Sequence, residues 1–242
     1  ARDTDRGSLL KRGGGSLTLS GANSFDGFTV HDGLLSLTGL NAYDAGHDGI
    51  VDGGTLALSG TLQGNALRVT RGLADVSETG RLDGANLYVG GGNGAALALI
   101  DGRQTGGYTL VGEGGHLGGV GTLGDTTVAS GGTIAPGRSI GTLTVDGNYV
   151  QQAGSRFAVE MTPPDQADRL EVTGRATLEG GTVVAERGPG VYALGERYDF
   201  LTAAGGITGR FGALDSTAIT PFLGLSLSYD AFGIGLDVAR GA

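Results

Sequence analysis

SLTLSGANSFDG (Ser16 to Gly27) and LSLTGLNAYDAG (Leu35 to Gly46) align at one constant offset. Leu17 falls on Leu35, Leu19 on Leu37, Asn23 on Asn41, Phe25 on Tyr43 and Asp26 on Asp44. Each half alternates apolar side chains with Ser or Thr and ends in Gly, Asn or Asp, the pattern of short strands separated by turns. Looser copies follow at Gly53 (GGTLALSGTL), Asn65 (NALRVTRG), Ala85 (ANLYVGGG), Gly131 (GGTIAPG), Gly141 (GTLTVDGNY) and Gly180 (GGTVVAE). No helical period is sustained. Units of about 20 residues that cannot each bury an apolar face must stack, and strands at every turn of such a stack make a parallel β-helix. In that arrangement Asn23 over Asn41 and Phe25 over Tyr43 form a side-chain ladder. A β-sandwich, whose short strands also alternate, is the competing fold.

Composition agrees with a repetitive all-β chain. Among 242 residues there are 51 glycines and only 14 aromatics, yet 39% of residues are hydrophobic, too many for a disordered chain. The glycines are expected mostly in turns that need φ > 0. With no cysteine, disulfides, thiolate catalysis and Cys-bearing zinc sites are excluded. A net charge of −9, with Lys11 the single lysine, argues against nucleic acid, whose binding needs clustered cations. The longest apolar runs, such as Ala95 to Ile100, fall far short of the ~20 residues of a membrane helix. A chain that begins at Ala1, without initiator Met or signal-like stretch, is expected to be part of a longer protein.

The last third differs. Nine of the 14 aromatics follow residue 145: Tyr149, Phe157, Tyr192, Tyr198, Phe200, Phe211, Phe222, Tyr229 and Phe232. Leu223, Leu225, Leu227 and Tyr229 alternate, Asp230 and Ala231 interrupt, and Phe232, Ile234, Leu236 and Val238 alternate again, which predicts a β-hairpin. An open solenoid end exposes strand edges, so a heavier core closed by a hairpin reads as a cap. Tyr149, Phe157, Tyr198, Phe200, Phe211, Phe222, Tyr229 and Phe232 are the expected cap and folding residues. The division expected is residues 1–130 as stem repeats and 131–242 as the final coils and cap.

Candidate chemistry is sparse. G-R-S-I-G (Gly137 to Gly141) spells a hydrolase nucleophile elbow. All three histidines (His31, His47, His116) precede Ser139, against the Ser, acid, His order of α/β-hydrolases, and no helix is foreseen after it. GVGTLG (Gly119 to Gly124) matches a dinucleotide fingerprint without the βαβ unit it needs. GGNGAALAL (from Gly91) echoes the calcium-binding nonapeptide, but Ala96 stands where the coordinating Asp belongs. Asp44, His47, Asp48 and Asp52 are the one group that could supply hard-cation ligands, with solvated turn acids as the alternative. No catalytic residue, cofactor or firm metal site is assigned.

Gly13 to Leu37 resembles the autotransporter-associated β-strand repeat. Gly131 to Leu178, with a PGxSxGTLxVxGxY core followed by Asp168, Leu170, Val172 and Gly174, resembles the C-terminal passenger segment of type V secreted autotransporters. YDFLTAAGGITGRFG and PFLGLSLSYDAFGIGLDVAR are similar to the end of that segment. The resemblance implies a right-handed, single-stranded parallel β-helical stem with a C-terminal autochaperone region, on the surface of a Gram-negative bacterium after transit through periplasm and outer membrane. It implies two partners outside this sequence, an outer-membrane β-barrel translocator and an upstream effector. A subtilisin-like protease is one candidate effector. The alternative is an adhesin-type wall that binds a host protein or glycan, or another copy of itself. Residues 61 to 119 match least well.

Overall fold

Alternating strands that must bury one edge of every turn coil around a single apolar axis. The computed structural model describes residues 7–241, and all of its regular elements are strands. Three parallel faces run along the coil. The first stacks Leu9–Lys11, Phe28–Val30, the first half of Asp48–Leu58, the first half of Ala66–Val76, Asn86–Val89, Thr109–Val111, Thr126–Val128, Tyr149–Gln151, Ala176–Glu179 and Ile207–Arg210. The second stacks Ser16–Leu19, Leu34–Leu37, the two second halves of those long strands, Ala96–Ile100, Gly115–Gly119, Thr133–Pro136, Arg156–Thr162, Thr182–Arg187 and Ala213–Asp215. The third runs from Asn23–Phe25 through Leu40–Tyr43, Thr61–Gln63, Arg81–Asp83, Arg103–Thr105, Thr122–Leu123, Thr142–Val145 and Arg169–Val172 to Arg197–Ala203. This is a parallel β-solenoid, and the β-sandwich alternative is removed.

Register turns the repeat into a core. On the second face Leu17, Leu35, Leu56, Ala74, Ala98, Leu117, Ile134, Phe157, Val183 and Leu214 lie one above another as an inward file. On the first face Val30, Val51, Val69, Val89, Val111 and Val128 do the same. Each fully buried Leu or Val contributes about 1.5 to 3 kcal/mol. Polar inward positions are satisfied internally: Thr109 Oγ1 donates to Gln104 Oε1 at 2.7 Å, and Gln104 Nε2 donates to the Ala85 carbonyl at 2.9 Å. The Tyr149 hydroxyl donates to Gln151, whose amide donates to Ser155 Oγ at 2.5 Å. Lys11, nearly buried, donates to the carbonyls of Gly13 at 2.6 Å and Asp32 at 2.9 Å.

The glycines have two roles where the sequence suggested one. Positive φ accounts for fewer than half of the 51. At the corner between second and third faces, Gly39, Gly60, Gly102 and Gly121 have no positive φ. Instead, a Cβ on each would overlap the carbonyl oxygen of the glycine one coil below, Gly21, Gly39, Gly80 and Gly102 respectively. Those carbonyls accept the N–H of the next coil, as in Arg103 N to Gly80 O at 3.0 Å and Thr122 N to Gly102 O at 2.9 Å. The corner is therefore a stacked glycine column whose close backbone approach leaves no room for a side chain. Gly121 of the GVGTLG stretch belongs to it.

The third face ends differently from the others. Gly233–Arg240 adds to Arg197–Ala203 in antiparallel sense, and Leu223–Tyr229 pairs with it as a hairpin whose Leu223, Leu225, Leu227 and Tyr229 lie partly buried against the core. Tyr149, Phe157, Tyr198, Phe200 and Phe211 are buried in the last coils. Two of the expected cap residues lie outside the core: Phe222 is 79% and Phe232 59% exposed. Phe232 has the right parity, but it sits in the hairpin turn, where Asp230 Oδ1 accepts from its N–H at 2.8 Å and from Gly233 N–H at 2.7 Å. Phe222 lies in the tight turn that closes Thr220 on Leu223, outside the strand that alternation assigned to the core.

Candidate functional site

The second face carries a cleft of about 540 Å³ lined by Leu97, Leu99, His116, Ala135, Ala158, Glu160, Glu186 and the Pro136–Ser139 turn. Its wall is the G-R-S-I-G stretch. After Thr133–Pro136 the chain leaves the sheet, and Gly137 hooks back on Gly119 through two hydrogen bonds of 3.1 and 2.9 Å. Arg138 then reaches across two further coils, its Nε to Asp101 at 2.5 Å and its Nη2 to Asp75 at 2.6 Å. At 5% exposure, Asp168 fixes the other end of the turn: Oδ1 accepts from Gly141 N at 3.0 Å and Oδ2 from Glu160 N at 2.9 Å. A Cβ on Gly137 would overlap that carboxylate. The two halves of the 131–178 stretch thus meet at Asp168, which accepts from Gly141 and lies close against Gly137.

Among the described residues, Ser139 is not set in the arrangement of a nucleophile elbow. His116 and Ser139 both line the cleft. Among the described residues, no hydrogen bond joins Ser139 to His116 or His116 to Asp168. Both oxygens of Asp168 are engaged by backbone N–H groups, and a strand, Thr142–Val145, follows the turn where an elbow requires a helix.

Burial pushes the Asp168 carboxyl up to about 6. Glu160 and Glu186 add to that rise, and the two N–H donors oppose it. In the folded chain it therefore holds its proton to higher pH than in the unfolded chain. Its contribution to stability is greatest at low pH and falls as pH rises from about 4 to about 6. The expected result is that the urea midpoint of the native chain improves from pH 7 to pH 5 by more than that of Asp168→Asn. Equal shifts in two matched denaturation series would contradict it.

The remaining sequence candidates are placed as follows. Asn23 Nδ2 donates to Asn41 Oδ1 at 2.9 Å, Asn41 Nδ2 continues to Gly39 O at 3.0 Å, and Phe25 stacks on Tyr43 with ring centres 6.5 Å apart. Asp44, His47, Asp48 and Asp52 are not brought together. Asp48 faces Arg68 at 2.5 Å and Asn65 at 2.9 Å, while Asp52 faces His31 and Arg71, each at 3.5 Å. Among the described residues no three His or carboxylate side chains gather as a metal site. On the outer side of the first face Arg68 lies 4.1 Å over the Tyr88 ring, which meets Tyr108 edge to face. Sequence reasoning did not pick out that cluster, or Glu160 and Glu186 in the cleft. Arg68 and Tyr88 are in register on neighbouring strands, as are Glu160 and Glu186, and a list of strand registers would have paired both.

No family model matches the chain. It is similar to a protein described as an extracellular serine protease from Serratia marcescens, 34% identical over 135 residues, a stretch that covers 52% of this chain and 13% of that protein. The chain thus spans a small part of the relative it matches.

Proposed function

We propose that this chain is the C-terminal β-helical stem of an autotransporter passenger, displayed outside a Gram-negative cell, and that its last coils form the folding nucleus. The observation that carries this reading is the closed carboxyl end: buried Phe157, Phe200 and Phe211 beneath an antiparallel hairpin that ends the otherwise parallel third face. Long-range parallel pairing folds slowly unless a preformed template removes part of its loop-closure cost. A cap adjoining the membrane translocator would emerge first, fold, and offer its strand edges to each coil that follows. That biases passage outward with no nucleotide-driven motor. Its partners in this reading are the outer-membrane β-barrel and an effector upstream.

The similarity to an extracellular serine protease supports a protease as that effector. Catalysis then lies outside this segment, and the segment alone does not cleave peptides. In the test, the passenger is expressed with its barrel, with and without residues 131–242, and surface display is counted by antibody on intact cells. Display should fall about tenfold or more on deletion, with protein retained in the periplasm. Undiminished display would overturn the proposal.

A further inference from the structure

Glu160 and Glu186 are in register on neighbouring parallel strands of the second face, both at outward positions beside the cleft. Strands there are about 4.8 Å apart, and like charges directly opposite each other are destabilising. Among the described residues neither glutamate has an ion-pair partner. The nearby cation of the cleft wall, Arg138, is already held by Asp75 and Asp101. Asp168 adds a third carboxylate at the same end. The floor leading away from them is mostly apolar: Ala158, Ala135, Leu99, and Leu97, which is 37% exposed, with His116 beside Leu97 on the next strand.

The floor crosses five consecutive strands, from Ala96–Ile100 to Thr182–Arg187. At about 4.8 Å per step this is a track of roughly 19 Å, the length of about six extended residues. A free amine would fill only the acidic end. We propose that this cleft binds an extended peptide segment of a partner protein, its arginine or lysine entering between Glu160 and Glu186 and its apolar neighbours lying on Ala158, Ala135, Leu99 and Leu97. The chemistry is that of a groove with one charged specificity point and an apolar remainder. The cation relieves the repulsion between two glutamates that the fold itself leaves uncompensated.

Fluorescence anisotropy of the full chain with a labelled VLRVLA hexapeptide amide tests this. Saturable binding is expected in the range of about 1 to 100 μM. Replacing the peptide arginine with glutamine, or making Glu160→Gln with Glu186→Gln, should each weaken it about tenfold or more, and arginine amide alone should bind at least as much more weakly. The double variant should melt no lower than the native chain, because it removes a like-charge pair. Leu97→Ser, a change at an exposed position, tests the floor independently and should weaken binding about threefold. Equal binding of the glutamine peptide, no effect of the double variant, no saturation at about 1 mM, or arginine amide binding as tightly as the peptide would each overturn the proposal.

Discussion

Gly102→Ala is expected to destabilise the chain by about 3 kcal/mol or more, although it adds one methyl group at a residue without positive φ. The new Cβ would overlap the Gly80 carbonyl and crowd that of Ser77. Neither oxygen belongs to a flexible side chain: Gly80 O accepts from Arg103 N in the ladder, and Ser77 O from Gly80 N at 2.8 Å. The coil below cannot retreat without breaking its own register, and Gly121 repeats the same constraint one coil above. Gly14→Ala is the control. Its Cβ would meet nothing within 4 Å, and its φ is not in the left-handed region, so the change should stay within about 0.5 kcal/mol of native. Urea denaturation of both variants measures the contrast. Similar midpoints would show that the corner is looser than a stacked backbone column allows.

Phe200→Ala should cost about 3 to 5 kcal/mol, the range for removing a fully buried ring. Phe200 lies 5.3 Å from Phe157 and 6.0 Å from Phe211, ring centre to ring centre, and those two are 5.9 Å apart, so three rings close the last coils together. Kinetics separate packing from nucleation. If this cluster forms early, the loss appears as slower refolding, whereas Leu37→Ala, a fully buried site in an early coil, should chiefly speed unfolding. Phe222→Ala, at an exposed ring, should do neither. Stopped-flow refolding and unfolding arms of the three variants give the comparison, and a Phe200→Ala effect confined to unfolding would remove the cluster from the nucleus.

The coil was legible because two early turns match position for position on two faces. The offset that aligns Leu17 with Leu35, Asn23 with Asn41 and Phe25 with Tyr43 is the strand register itself. Beyond them the coil lengthens: the steps from Asn41 to Leu62 and from Leu82 to Gln104 are both longer than the step from Asn23 to Asn41. A fixed offset loses the repeat there, although residues 61 to 119 continue all three faces of the coil. Alternation located the closing hairpin but overstated its core, because parity does not tell a strand residue from a turn residue of the same phase, as at Phe232. The cleft was hidden for another reason. Asp168 reaches Gly141 across 27 residues and Arg138 reaches Asp75 across 63, and no local pattern encodes which turn leaves the sheet and is pinned back upon it.

The order in which the coils form separates a carboxyl-terminal nucleus from any other starting point. In pulse-labelled hydrogen exchange during refolding of the whole chain, amides of Arg169–Val172, Arg197–Ala203 and Gly233–Arg240 should gain protection first. Those of Leu40–Tyr43 and Asn23–Phe25 should follow, later with distance from the cap. Protection that begins at the amino-terminal coils, or rises everywhere at one rate, would contradict a carboxyl-terminal nucleus.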